Sequence, residues 1–125
     1  MAPHGERSYS ALMDLQYLEG RNAISVRELA ALRDARVPHR ILDVRESLEL
    51  AICRLEDALH IPMAEVCDRM AEVPTGEPVI VLCHHGVRSQ MVVGLLRHAG
   101  WRNVLNLDGG IDAWSREVDA SVARY

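Results

Sequence analysis

The apolar run from Val79 to Leu82 constrains the fold of this chain more than any other part of its sequence. Its residues are all aliphatic and mostly β-branched, and no polar residue interrupts them. A strand that faces solvent on one side alternates apolar and polar residues, whereas a strand covered on both faces is continuously apolar. The run therefore predicts the central strand of a parallel sheet that has helices on both faces.

Helices and strands are predicted to alternate along the rest of the chain. Ser25 and Glu28 have the spacing of a capping box, which predicts the start of a helix. Gly100 lies where a glycine would end the helix predicted at 91–99. The expected class for residues 23–125 is one α/β domain with a mostly parallel sheet flanked by helices, and residues 1–22 are predicted to be an appended segment. Further helices are predicted at 46–53, 66–73, 91–99 and 111–118, and further strands at 40–44, 58–61 and 103–107.

Composition excludes several classes of function. The net charge is −4 and the cations are not clustered, which does not fit a nucleic-acid partner. No apolar run approaches the roughly 20 residues that cross a bilayer, so no membrane association is predicted. Because the beginning of the sequence is polar, we expect a cytoplasmic protein. All 14 basic residues are arginines, which excludes lysine Schiff-base chemistry.

The three cysteines are expected to be free thiols in a reducing compartment. The spacing between Cys53, Cys67 and Cys83 matches no zinc-ligand pattern, and neither a metal nor a cofactor is predicted. Cys67 lies beside Met70 on a predicted helix and is expected to fill the core. Whether Cys53 has a redox role is left open.

The segment from Cys83 to Ser89 directly follows the predicted central strand and precedes a helix. In open α/β sheets, ligands bind beyond the carboxyl ends of the strands. Backbone N–H groups of a tight loop, together with a helix N-terminus, form a nest that favours the thiolate of Cys83. Gly86 permits a positive φ in this loop. Arg88 adds a planar cation that suits an oxyanion.

A thiolate in such a cradle can attack an electrophilic sulfur whose leaving group is an oxyanion, as sulfite is in thiosulfate. The product is a persulfide on Cys83, held by the same N–H groups. A second nucleophile, either cyanide or a cellular thiol, then takes the outer sulfur. The loop thus predicts covalent catalysis by double displacement.

Residues 83–89 resemble the C-x-x-G-x-R-S active-site loop of single-domain rhodanese-like proteins. Three further segments resemble the family's L-D-V-R-E, H-I-P and L-x-G-G-x-x-x-W elements in order and spacing: 42–46, 60–62 and 107–114. The resemblance covers about residues 23–118 and implies a three-layer fold and a sulfurtransferase. Residues 53–58 lack the two glycines and the proline that the family commonly has there, so this connection is predicted to follow a different path.

The predicted site has Cys83 as its nucleophile. Asp43 is expected to accept hydrogen bonds that support the active loop, and Arg45 is expected either to attract anions or to form a surface ion pair. The family resemblance implies that Arg88 either faces the substrate or stiffens the loop. The substrates expected are a thiosulfate-like sulfur donor and a thiol or cyanide acceptor, and a protein donor or acceptor is left open. The predicted substrate-binding residues are His84, His85, Gly86, Val87, Arg88, Ser89 and Arg45.

The paired histidines also invite a metal interpretation. We expect His84 and His85 to point apart and to form the rim of the pocket instead, because a closed zinc site needs four ligands. A protonated imidazole at the rim would favour anions.

Two other functions compete with a thiosulfate-using enzyme. Phosphatases and arsenate reductases of this fold cradle a tetrahedral anion with a Cys-x5-Arg loop, whereas Cys83 and Arg88 here enclose only four residues. The smaller nest suits sulfur better, and the loop holds no aspartate that could act as a general acid. The second alternative is a sulfur-relay or protein-interaction module with little small-molecule turnover. Retention of Cys83 does not distinguish a relay from an enzyme.

Overall fold

The fold is a three-layer α/β arrangement, seen in a computed structural model that describes residues 18–125. Five strands form one sheet in the order β1-β5-β4-β2-β3, and every strand pair is parallel. This confirms the predicted α/β class. The elements in chain order are β1 (Ala23–Ile24), α1 (Val26–Asp34), β2 (Arg40–Asp43), α2 (Ser47–Ile52), β3 (Leu59–His60), two 3₁₀ helices (Met63–Glu65 and Cys67–Glu72), β4 (Val79–Leu82), α3 (Val87–His98), β5 (Val104–Leu107) and α4 (Gly110–Glu117).

Strand β4 lies at the centre of the sheet and is fully buried. Successive side chains of a strand point to opposite faces, so this strand contributes to two cores. Ile80 and Leu82 join the core beneath α1 and α4, and Val79 and Val81 join the core beneath α3. The prediction of a strand covered on both faces is confirmed, and it fixes Cys83 at the carboxyl edge of the sheet.

Helix α1 begins with the predicted capping box. The Ser25 hydroxyl accepts from the Glu28 backbone N–H at 3.1 Å, and the Glu28 carboxylate accepts from the Ser25 N–H at 2.8 Å. An N-cap of this kind stabilises a helix by about 1 kcal/mol. It orients α1 so that Val26, Leu29 and Leu32 are buried against the sheet.

Helix α3 begins at Val87, within the cysteine loop of residues 83–89, instead of at Met91. Gly100 lies just beyond the C-cap with a φ of 114°, which confirms its predicted role as the glycine that ends the helix. The buried face of α3 runs through Ser89, Val92, Val93 and Leu96, so Met91 lies off this face and is 63% exposed. The predicted helix at 91–99 is therefore present, and it starts four residues earlier than predicted.

The segment predicted as a helix at 66–73 forms 3₁₀ turns instead. Its backbone is non-helical at Arg69, while Val66 and Val73 are buried. Met70 is partly buried against the same core, so the predicted apolar stripe is in place although the turns are 3₁₀. Cys67 is exposed, so the prediction that it fills the core is wrong. All three cysteines are free thiols.

Most of the predicted appended segment, residues 1–17, lies outside the described residues. Leu18, where the described chain begins, is buried in the core beneath α1 and α4. The short strand β1 that follows pairs with β5 and was not predicted, because two residues carry no periodicity. Within residues 18–125, no helix has the length and apolar character needed to cross a bilayer.

Candidate active site

The Cys83 sulfur lies at the centre of a small cage of polar hydrogens. Its residue is 1% exposed and follows β4 at the carboxyl edge of the sheet. The backbone N–H groups of Gly86 and Ser89 donate to Sγ at 3.1 and 3.3 Å, and the Ser89 hydroxyl lies 3.3 Å from it. The loop thus has the shape of the predicted nest, and donors in this arrangement stabilise negative charge on the sulfur.

Ser89 is held in place by a residue that the sequence did not identify. Its hydroxyl donates to Oδ1 of Asn106 at 2.5 Å, and Nδ2 of Asn106 donates to Asp108 at 3.1 Å. With its proton directed to Asn106, the hydroxyl presents its oxygen to the sulfur, so the donors that favour the Cys83 thiolate are the two backbone N–H groups. Asn106 could have been identified from the sequence, because it is the polar residue within the otherwise apolar strand β5.

Helix α4 supports the loop from the other side. The Cys83 carbonyl accepts from the Ile111 N–H at 2.9 Å, and the His84 carbonyl accepts from the Asp112 N–H at 3.0 Å. The first N–H groups of a helix have no partner within the helix, so the loop carbonyls satisfy them. Gly86 approaches the same helix closely, with a φ of 105°. A Cβ at that position would lie 3.2 Å from the backbone N of Gly109.

Arg88 is paired with a carboxylate that the sequence did not identify. Both of its terminal nitrogens donate to the oxygens of Glu49, at 2.7 and 2.8 Å. This pairing raises the pKa of Arg88, and attraction to Cys83 adds to the rise. The same hydrogen bonds lower the pKa of Glu49 to about 2. The cation of Arg88 therefore lies within electrostatic range of Cys83 while its fork is occupied.

Arg45 and Asp43 form a fully buried ion pair, with Nη2 of Arg45 2.7 Å from Oδ2 of Asp43. The guanidinium also donates to the Cys53 carbonyl at 2.9 Å, and the backbone N–H of Arg45 donates to Asp43 at 3.1 Å. The side-chain oxygens of Asp43 accept hydrogen bonds from the backbone and the guanidinium of Arg45. The attraction of anions by Arg45 stays a prediction, and the contacts favour a structural role for this pair.

Tyr125 contacts Arg45, Glu49 and the loop residue His84. Nothing in the sequence had indicated that Tyr125 belongs to the site. Its hydroxyl accepts from Nη1 of Arg45 at 3.0 Å and donates to Oε1 of Glu49 at 2.7 Å. Its ring is stacked on the ring of His84, with centroids 3.8 Å apart and planes 6° apart. Burial raises the pKa of Tyr125 to about 12, and the Glu49 carboxylate adds to the rise while Arg45 opposes it. The hydroxyl is therefore a neutral donor.

The two histidines of the loop stack on each other, with ring centroids 3.8 Å apart. The prediction that their side chains point apart is therefore wrong. His84 is half-buried and His85 is exposed, so both lie at the surface of the loop. Burial and the neighbouring His85 lower the pKa of His84, which favours its neutral form.

His84, His85 and Asp112 place possible metal-ligand atoms within 4.8 Å of one another. Both oxygens of Asp112 already accept hydrogen bonds, one from Arg116 and one from Arg124, each at 3.0 Å. A cation would compete with two guanidinium groups for this carboxylate, and two imidazoles alone fall short of a closed zinc site.

The family model for the rhodanese-like domain matches residues 25–117. A sulfurtransferase of Allochromatium vinosum is 40% identical over 76 residues, which cover 61% of this chain and 71% of that protein. The adenylyltransferase and sulfurtransferase MOCS3 of Bos taurus is 31% identical over 97% of this chain. The chain spans 31% of the length of that protein.

Among solved structures, a thiosulfate sulfurtransferase from Pseudomonas aeruginosa superimposes with a TM-score of 0.70 and 27% identity. The match covers 94% of this chain and 22% of that one. The described fold, the cysteine loop and the family model agree over the same residues, and the chain belongs to the rhodanese-like domain family.

Proposed function

We propose that this chain is a sulfurtransferase that moves a sulfane sulfur from a donor such as thiosulfate to a thiophilic acceptor through a persulfide on Cys83. The observation that carries the proposal is the cage around Sγ, in which two backbone N–H groups donate directly to the sulfur. The sulfurtransferase relatives and the thiosulfate sulfurtransferase fold neighbour support the reaction class.

The reaction has two displacements. The Cys83 thiolate attacks the outer sulfur of thiosulfate, a sulfur–sulfur bond forms to Cys83, and the bond to the sulfonate sulfur breaks so that sulfite leaves with the electron pair. The acceptor thiol, as its thiolate, or cyanide then attacks the outer sulfur. The persulfide bond breaks, and the electron pair returns to Cys83 as thiolate.

The first test is the site of sulfur uptake. After incubation with thiosulfate and removal of excess donor, peptide mass spectrometry is expected to find one added sulfur atom on the peptide that contains Cys83. The double variant Cys53→Ser/Cys67→Ser is a matched control that should take up sulfur equally well. An adduct confined to Cys53 or Cys67 of the wild-type protein would contradict the proposal.

A sulfur relay between proteins is the second candidate, and exposed apolar side chains favour it. Leu48 and Ile52 on α2 and Val87 and Met91 on α3 are exposed, and these two helices flank the loop. Exposed apolar surface beside a reactive group is typical of protein contact sites. Slow turnover of thiosulfate combined with fast transfer from a protein persulfide would identify the relay.

The Arg88→Ala variant tests whether this residue assists an anionic donor. Its loss removes a cation and leaves the Glu49 carboxylate without its cationic partner. We expect the KM for thiosulfate to rise by about tenfold, the scale of one uncancelled negative charge near a protein surface. The rate of Cys83 alkylation by neutral iodoacetamide should change far less. An unchanged KM would count against any assistance of an anionic donor by the charge of Arg88.

A further inference from the structure

A chain of paired charges runs from the end of β2 to the active loop. Asp43 pairs with Arg45, Arg45 donates to the Tyr125 hydroxyl, and that hydroxyl donates to Glu49. Glu49 in turn receives both terminal nitrogens of Arg88. Each cation in this chain therefore has a carboxylate partner, and the partner nearest the loop is Glu49.

The Glu49 carboxylate is held by more contacts than a surface ion pair needs. Besides Arg88 and Tyr125, the backbone N–H of Glu46 donates to its Oε2 at 3.0 Å. The side chain of Glu49 is 17% exposed, so solvent screens the pair only in part. The carboxylate is thus fixed by donors from α3, from the N-terminus of its own helix and from the C-terminal segment.

We propose that Glu49, oriented by Tyr125, is a specificity-determining residue that neutralises Arg88 and so selects against anionic sulfur donors. This inference rests on the proposed sulfur transfer at Cys83. In the paired state, the two terminal nitrogens of the guanidinium are occupied by Glu49, its charge is cancelled, and the carboxylate repels an oxyanion. An uncharged donor, such as a protein persulfide in its protonated form or a disulfide-linked sulfane sulfur, meets neither obstacle.

Within residues 18–125, the neighbouring arginines do not replace the charge that Glu49 cancels. Arg45 is buried against Asp43, and Arg116 and Arg124 are paired with Asp112. Because the pKa of Glu49 is about 2, the pair with Arg88 stays ionised throughout the range in which the protein would be assayed. The lowered pKa of His84 favours its neutral form, which adds no positive charge.

Alkylation of Cys83 measures this selection without any sulfur transfer. The ratio of its alkylation rates with anionic iodoacetate and with neutral iodoacetamide, resolved by peptide mass spectrometry, reports the potential at the sulfur. In Glu49→Gln we expect this ratio to rise by about three- to tenfold, the effect of one uncancelled charge near a protein surface. The KM for thiosulfate should fall in the same variant.

Three further variants test whether the change in the alkylation ratio comes from the contacts of Glu49 with Arg88 and Tyr125. Glu77→Gln makes the same change in net charge at the amino end of β4, away from Cys83, and should leave the ratio unchanged. The double variant Glu49→Gln/Arg88→Gln should return the ratio to the wild-type value. Tyr125→Phe keeps an aromatic ring against His84 but removes the donor to Glu49, so a smaller rise is expected.

An unchanged ratio in Glu49→Gln would overturn the inference, and so would a rise that persists when Arg88 is also replaced. Absence of any effect in Tyr125→Phe would overturn the part assigned to Tyr125. These outcomes are separate from a failure of the proposed function. If Cys83 takes up no sulfur from any donor, the function fails, yet the alkylation ratio still measures how Glu49 sets the charge at the site.

Discussion

Replacement of Cys83 with serine is expected to slow thiosulfate:cyanide sulfur transfer by at least about a thousandfold, the usual effect of removing a catalytic nucleophile. A serine hydroxyl stays protonated at neutral pH, and it cannot carry the outer sulfur as a persulfide. The fold should survive, since serine is similar in size and its oxygen can still accept from the Gly86 and Ser89 N–H groups. Formation of thiocyanate and sulfite measures the rate.

Matched cysteine variants separate this effect from a general sensitivity to thiol loss. Cys67 is exposed, and Cys53 lies against the Arg45 guanidinium, with 3.9 Å between Sγ and Nη1. Cys67→Ser and Cys53→Ser should each keep most of the wild-type turnover. If Cys83→Ser turned over at the wild-type rate, or if Cys53→Ser alone abolished turnover, the nucleophile would have been assigned to the wrong residue.

The cysteine loop could be predicted from the sequence because its geometry is local. A nest is built from successive N–H groups, so the residues that form it, from Cys83 to Ser89, are adjacent in the chain. The strand that carries the loop was equally visible, since continuous apolar character from Val79 to Leu82 has few structural meanings. Family resemblance and local physics therefore indicated the same position.

The charges around the loop could not be predicted in the same way. Arg88 and Glu49 are 39 residues apart, and Tyr125 and Glu49 are 76 apart. No periodicity links such residues, and only the folded sheet brings α2, α3 and the C-terminal segment together. The sequence therefore indicated a cation beside Cys83 but not the carboxylate that neutralises it.

The sequence also contained indications of two other contacts, the Asp43–Arg45 ion pair and the hydrogen bond of Asn106. Asp43 and Arg45 are two residues apart at the end of a strand, where side chains at i and i+2 share a face. That spacing already favours an ion pair over two separate roles, and the structure shows the pair fully buried. Asn106 is likewise a polar residue within an otherwise apolar strand, and a buried polar side chain needs a partner, here Ser89.

Gly110 connects the stability of the fold to the shape of the active loop. Its φ is +63°, a region that favours glycine, and it begins helix α4 beneath the loop. A Cβ at this position would lie 2.5 Å from the Cys83 carbonyl oxygen and would also collide with the carbonyl of His84. These carbonyls accept the N–H groups of Ile111 and Asp112, so the helix cannot move away without breaking the hydrogen bonds that hold the loop.

We therefore expect Gly110→Ala to lower the free energy of unfolding by about 2–4 kcal/mol, the combined scale of backbone strain and overpacking. Sulfur transfer by the fraction that still folds should also fall, because displacement of the Cys83 carbonyl moves the N–H donors away from Sγ.

Gly94→Ala is the matched control: it lies inside α3, where a Cβ meets nothing within 4 Å. That change should stabilise the protein by about 0.5–1 kcal/mol. Denaturant unfolding of both variants, with turnover measured in parallel, checks the pair. Equal stability of Gly110→Ala and wild type would show that the loop can yield to a methyl group, and the close contact between α4 and the loop would not then explain how the cage around Cys83 is held.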